Sequence, residues 1–288
     1  MSHLVALLRI ELDKAVKNRW FAASLAAALF IVLWSAESSV AVHGIGHQIM
    51  QDGNEWAGLT ASSAYASWVV VGTGDPFRSG ILFFLMPLFV VVPYSWTLRA
   101  DMDDGSIAQQ YVRCPRESVL VARYFAAFIT SGLAVAIPLI VSLLVLLCFL
   151  PAYTPEVVSN LYIGMQPHEL WAREFFTTPL LYVIYSTLLA FALCGLWGGL
   201  VLAASTIIRN RIALVVGSFL LTFAIRLINQ WVFYILDLSG FTFSLTDLLY
   251  HGGSGIFPRE AVPTAVVALV MAVGAFILLF SHKESDVL

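Results

Sequence analysis

Charge is what this sequence has least of. Of its 288 residues, 11% are Asp, Glu, Lys or Arg, while 60% are hydrophobic. A soluble domain is about 25% charged and about 45–50% apolar. So few charges cannot cover a soluble surface of this size, which excludes a soluble enzyme or a nucleic-acid binder. Cysteine is also scarce. Cys114 lies in a charged stretch, and Cys148 and Cys194 lie inside apolar blocks. No CxxC or Cys/His spacing exists, so neither a disulfide framework nor a zinc site is suggested. A phosphate-binding Gly-x-x-x-x-Gly-Lys-Ser/Thr loop is missing, as are HExxH, GxSxG and an ABC signature sequence. The cluster Gly252-Gly253-Ser254-Gly255 has no following lysine.

What the chain does have is long apolar blocks, the pattern of membrane helices and not of an outer-membrane barrel. Six blocks are long enough to span: Phe21–Val42, Ser79–Leu98, Val121–Leu150, Pro179–Thr206, Ile212–Leu236 and Val262–Ser281. The expected fold is therefore an all-α polytopic membrane protein forming one transmembrane domain over residues 1–288. The first block is too long for a signal-peptide core and reads as a retained anchor. Pro87 and Pro93 predict a kink in the second span, whose freed carbonyls need partners from neighbouring helices or water. Pro138 and its length predict that the third tilts or begins outside the lipid.

Lys and Arg set orientation. One set of segments holds eleven: Arg9, Lys14, Lys17, Arg19, Arg99, Arg113, Arg116, Arg123, Arg209, Arg211 and Lys283. The opposite set holds three, Arg78, Arg173 and Arg259, and Arg226 lies inside the fifth span. The eleven-residue side is expected to be cytoplasmic, with the chain in a bacterial inner membrane and both termini on its cytoplasmic side.

Two segments on that side stand out. In residues 1–20, Leu4, Leu8, Leu12, Ala15 and Val16 recur at helical spacing before Trp20–Phe21. This reads as an amphipathic interfacial helix, or as a topogenic leader that happens to be helical. In residues 99–120, Asp101, Asp103 and Asp104 precede Gly105-Ser106, and a short polar helix with Ile107, Tyr111 and Val112 on one side is expected to follow. The acidic residues at its start suit the helix dipole. Pro115 ends it. The segment reads as a docking helix or as a solvated topogenic loop.

Together these features resemble a permease subunit of an ABC transporter of the type-2 exporter class. The resemblance rests on the leader ending in Lys17-Asn18-Arg19-Trp20-Phe21, the six spans, and the acidic–Gly–Ser–Ile segment followed by Pro and a basic residue. It implies that residues 1–20 form an elbow helix and that residues 99–120 form a coupling helix held in a cleft of a cytoplasmic ATPase subunit. Residues 237–261 would form a re-entrant outer pair. On the matching positions it places Asp101 and Asp103 as the acidic pair, Gly105, Ser106 and Ile107 as the following step, Pro115 and Arg116 after them, and Arg123 as the closing basic residue. Tyr111 and Arg113 fall within the coupling helix. The resemblance also implies a second permease subunit, of the same or a different chain, and puts ATP and Mg on the partner ATPase, with no cofactor and no catalysis here.

The residues themselves leave other matters open. Residues 237–261 read either as a re-entrant pair shaping an outer gate or as a loop lying on headgroups. Glu37 and Arg226 are charges within apolar blocks, with Asn229 and Gln230 beside the latter. Their depth permits a mutual pair or a shared wet cavity. Alternatively, Glu37 reaches the headgroups and Arg226 makes a structural ion pair. His43 and His47 have metal-permitting spacing but no clear third ligand near Asp52 and Glu55. Trp56, Tyr65, Trp68, Tyr153, Tyr162 and Trp171 are expected mostly in the interfacial belt. Gly195, Gly198 and Gly199 permit a close helix contact within the bundle. An aromatic-rich interior suits a hydrophobic or amphipathic cargo. An ion-coupled carrier, favoured only by Pro87, Pro93 and Arg226, and a membrane-embedded enzyme remain the alternatives.

Overall fold

The structure is a computed structural model that describes residues 2–51, 63–157, 165, 169–236, 242–250 and 260–281. Eleven helices lie among the described residues: α1 (Ser2–Val16), α2 (Arg19–Gln51), α3 (Pro76–Val91), α4 (Thr97–Asp103), α5 (Ser106–Arg113), α6 (Arg116–Phe149), α7 (Ala172–Thr177), α8 (Pro179–Ala204), α9 (Arg211–Leu236), α10 (Leu245–Leu249) and α11 (Ala261–Ser281). Five of them, α2, α6, α8, α9 and α11, are long and apolar enough to cross a bilayer. This is the build of a multi-pass membrane protein. Its surface agrees: Phe30 on α2, Leu220 and Ile228 on α9, and Leu269 and Phe276 on α11 all point outward. Such a face is stable against lipid or another apolar chain and not against water.

α6 and α8 form the centre, and glycine sets their distance. Phe191 of α8 lies over Gly132, and Phe128 of α6 lies over Gly195, so each helix fits a ring into the other's gap. The two rings meet edge to face at 5.6 Å. A Cβ at Gly195 would come within 2.7 Å of the Phe128 carbonyl oxygen. The small-residue patch thus works as internal packing.

The second apolar block differs most from expectation. α3 is only 16 residues long, and Pro87 sits inside it without ending it. The break falls at Pro93. Lacking an N–H, Pro93 cannot pair with the carbonyl four residues back. That carbonyl, of Phe89, accepts from Ser24 Oγ at 2.8 Å instead, and the next, of Val90, accepts from Ser131 Oγ at 2.7 Å. Asn18 completes the joint. Its Oδ1 caps α2 by accepting from Trp20 N, and its Nδ2 donates to the Pro93 carbonyl at 3.1 Å.

The connection before α3 also departs from the sequence reading. Trp68 is not a belt residue: it is fully buried with Val69, Val70 and Val71 in the main core. Its Nε1 donates to the Leu139 carbonyl at 3.0 Å, and its ring meets Tyr182 edge-on. The segment is tied down by Ser63 Oγ on the Tyr153 carbonyl and by Ala64 N on the Pro151 carbonyl. An indole whose N–H finds a partner gains its full apolar burial, which outweighs the belt preference.

Candidate functional site

At the end of the bundle where α1, α4 and α5 gather, one arginine holds four elements together. Arg123, in the second turn of α6, has a side chain with 0% exposure. Its Nη2 donates to Asp101 Oδ2 of α4 at 2.6 Å and to Gln110 Oε1 of α5 at 3.0 Å. Its Nε lies 3.4 Å from Glu11 Oε1 of α1. Tyr94, in the turn after Pro93, donates its hydroxyl to the other Glu11 oxygen at 2.5 Å. Lys14 of α1 closes the ring by donating to Asp101 Oδ2 at 2.7 Å. Arg123 Nη1 has no hydrogen-bond partner among the described residues. Apolar packing surrounds the polar knot: Ala15, Tyr94, Leu98, Ile107, Leu120, Ala126 and Ala127 form one buried cluster.

Asp103 makes a second, more exposed junction. Its Oδ1 is 2.5 Å from Arg99 Nη2, and its Oδ2 accepts from both Nε and Nη2 of Arg211 at 3.2 Å. Arg211 begins α9, so this junction ties α4 to a further long helix.

These contacts correct the expected position of the aspartates. Asp101 and Asp103 do not start the polar helix; they lie in the last turn of α4, with Asp104 as its cap. Negative charge at a helix C-terminus is unfavourable by itself. The four cations Lys14, Arg123, Arg99 and Arg211 offset it. Burial acts to raise the Asp101 carboxyl, but the Lys14 hydrogen bond and the Arg123 charge outweigh burial and hold it below the ordinary carboxylate value. Asp103 is lowered too: desolvation opposes, and the bonds and charges of Arg99 and Arg211 together prevail. A carboxyl lowered in the folded state stabilises it above the unfolded value and loses that contribution as pH falls through the folded value. The detergent-solubilised protein should therefore lose thermal stability as pH drops below about 4. Asp101→Asn should remove part of that acid sensitivity in thermal scans across pH.

Between the aspartates and α5 stands Gly105 at φ 71°, left-handed backbone that favours glycine. Ser106 follows, and its hydroxyl donates to the Asp101 carbonyl at 3.2 Å. α5 then faces two ways. Ile107 is buried and Tyr111 half-buried, with the Arg116 guanidinium over its ring at 5.8 Å. Val112 does not share that side, as the spacing had suggested; it is 88% exposed, next to exposed Arg113. One residue after Tyr111 turns through about 100° of a helix, enough to change face. Cys114 is extended, as a residue before proline prefers, and Pro115 opens α6.

At the opposite end the intramembrane charges are not brought together. Glu37 Oε2 pairs with Arg78 Nη1 at 2.9 Å, and that guanidinium also lies 4.7 Å from the Trp34 ring. Arg226 pairs with Asp247 of α10 at 3.2 Å. Both charges thus have separate partners, and the mutual pair is excluded. Asn229 clamps the start of the same segment, donating to Thr242 Oγ1 at 3.3 Å and accepting from Phe243 N at 3.1 Å. Gln230 is exposed. α10 folds back on the bundle through buried Leu245, Leu248 and Leu249, and Tyr250 stacks on Phe83 and donates to the Pro76 carbonyl. The expected glycine cluster at 252–255, Phe241, Asp52, Glu55, Trp56, Tyr162, Arg259, Lys283 and the His47 side chain fall outside the described residues. No group of three possible metal ligands occurs among the described ones.

The sequence reading missed Glu11 and Gln110 as partners of Arg123, and with them Tyr94 as a donor to Glu11 and Lys14 as a donor to Asp101. Glu11 left a signal: it lies three residues after Leu8 and four before Ala15, within the apolar stripe of α1. A carboxylate in such a stripe needs a buried donor.

No protein-family model matches this sequence, and no curated protein is significantly similar to it.

Proposed function

We propose that this chain is the membrane-spanning permease subunit of an ATP-driven exporter of the ABC type-2 class. Two such subunits flank the path, and separate ATPase subunits beneath them bind ATP and Mg. The observation that carries the reading is the double character of α5. One face, with Val112 and Arg113, is exposed; the other, through Ile107 and Gln110, is joined to buried Arg123 and hence to α1, α4 and α6. A helix built this way passes a push on its free face to the long helices. In this reading α3 and the Pro93 turn make a sixth, broken crossing, α4 and α5 lie on its cytoplasmic side, α1 lies along the cytoplasmic surface, and α10 belongs to an outer gate. The path then takes an apolar or amphipathic cargo.

The test is co-purification in mild detergent from the native host, followed by ATPase assays in vesicles. A bound ATPase chain is the expected result. Val112→Asp and Arg113→Glu alter only exposed side chains and should lower that chain's stimulated turnover about tenfold, equivalent to about 1.4 kcal/mol of lost docking. Substitution of Asp103 or Arg116 should also impair assembly, with a loss of stability that the α5 surface variants do not show. An intact transporter that purifies without an ATPase and runs on an ion gradient would make the chain a carrier, with Arg226 and Asp247 as the first residues to examine.

A further inference from the structure

We infer that the chain carries a binding site for an anionic phospholipid at the level of its basic end. A cleft of about 320 Å³ opens there between the starts of α2 and α9, in front of the Pro93 turn. Trp20, Val92, Trp96, Ile212, Val215 and Val216 line it, and Arg211 stands at its rim. The cleft exists because α3 stops at Val91 and the chain turns there, so no helix fills the space between its two neighbours.

Three observations select the occupant. The lining is apolar, so water gains few hydrogen bonds in it, and an empty cleft of this size forfeits the contacts of every side chain along it. Trp20, exposed at the start of α2, is the residue type that settles at headgroup depth, which places the cleft where an acyl chain meets its glycerol. The rim is basic. Arg211 uses Nε and Nη2 on Asp103 and lies 3.8 Å from Asp104, leaving Nη1 outside those bonds. Arg209 precedes it by two residues, and Arg19 adjoins Trp20; both are exposed, and neither has an ion-pair partner among the described residues. Arg99 and Arg211 already neutralise Asp103 and Asp104, so Arg19 and Arg209, neighbours in sequence of the lining residues Trp20 and Arg211, add uncompensated positive charge. The surplus is positive, so a phosphodiester with net negative charge fits better than a zwitterionic headgroup. The acyl chain fills the cleft, and the phosphate sits at Arg209 and Arg211. This assignment needs only a membrane-embedded chain and holds whichever energy source drives it.

Native mass spectrometry of the full chain, released from nanodiscs of mixed phosphatidylglycerol and phosphatidylcholine, reads the site directly. The expected result is selective retention of phosphatidylglycerol. Val216→Trp, at a half-exposed position, fills the cleft and should abolish that retention. Arg209→Gln, which disturbs no contact among the described residues, should lower it about fivefold. Equal retention of the two lipids, or selectivity unchanged in both variants, overturns the proposal. So does a lipid-free dimer that Val216→Trp dissociates, since a second copy would then cover the cleft. Should Val216→Trp fail to fold, the Arg209→Gln measurement decides.

Discussion

Arg123→Met should be the most damaging single substitution in this chain, lowering stability by about 3–5 kcal/mol, the usual cost of removing one partner from a buried ion pair. The loss comes less from the vanished attraction than from what remains. Glu11 is 5% exposed, and without Arg123 its carboxylate keeps only the Tyr94 hydroxyl. Asp101 fares better, because Lys14 still reaches it from a partly exposed position. The damage should therefore fall mainly on the α1 side. Unfolding in mild detergent, followed by tryptophan fluorescence, checks the size of the effect. The double variant Arg123→Met with Glu11→Leu separates the two explanations. If the buried carboxylate is the cost, the double variant recovers most of the loss, because an apolar pair of similar volume often matches a buried salt bridge. If Arg123 matters through its bonds to Asp101 and Gln110, the double variant stays as weak as the single one.

Under the proposed exporter function, the same arginine also bears on mechanism. A purely structural knot predicts that the double variant regains transport along with stability. A transmitting joint predicts that it does not, because the Gln110–Arg123 bond, which links α5 to the bundle, is still missing. Measuring stability and ATP-dependent transport on one preparation distinguishes them.

The long helices were legible because lipid asks only for length and apolarity. The expected block Pro179–Thr206 and the helix Pro179–Ala204 nearly coincide, as do Ile212–Leu236 and Arg211–Leu236. What failed was whatever depended on partners far along the chain. Arg123 read as one more topogenic cation, since its partners lie 112 residues away in Glu11 and 22 away in Asp101. Trp68 read as interfacial because its neighbours in sequence are mostly those of a loop. Its burial is made favourable by partners on distant helices, among them Leu139 on α6 and Tyr182 on α8. The position of the α3 break was half visible: two prolines announced it. The choice of Pro93 over Pro87 rested on Ser24 and Ser131 standing ready to satisfy the freed carbonyls.

Gly195→Ala should be the second most costly change, about 1–3 kcal/mol by overpacking, although alanine is otherwise the better helix former. The added methyl meets the Phe128 carbonyl oxygen at 2.7 Å as well as its ring at 2.8 Å. A ring edge can swing aside, but a backbone carbonyl moves only if α6 moves. Gly132→Ala meets the same obstacle from the other helix, in the Phe191 carbonyl at 2.7 Å. Gly199→Ala is the informative contrast: the atoms its methyl meets first, from 2.5 Å, all belong to the Tyr124 ring, and that side chain is partly exposed. It should cost less than either. Gly217→Ala has nothing within 4 Å and should stabilise α9 by about 0.8–1.0 kcal/mol. Thermal scans of the four variants in one detergent test the ordering. Were Gly195→Ala to match Gly217→Ala, α6 and α8 would not be in the close contact that holds Ser131 against α3, and the support for the Pro93 turn beneath the candidate site would go with it.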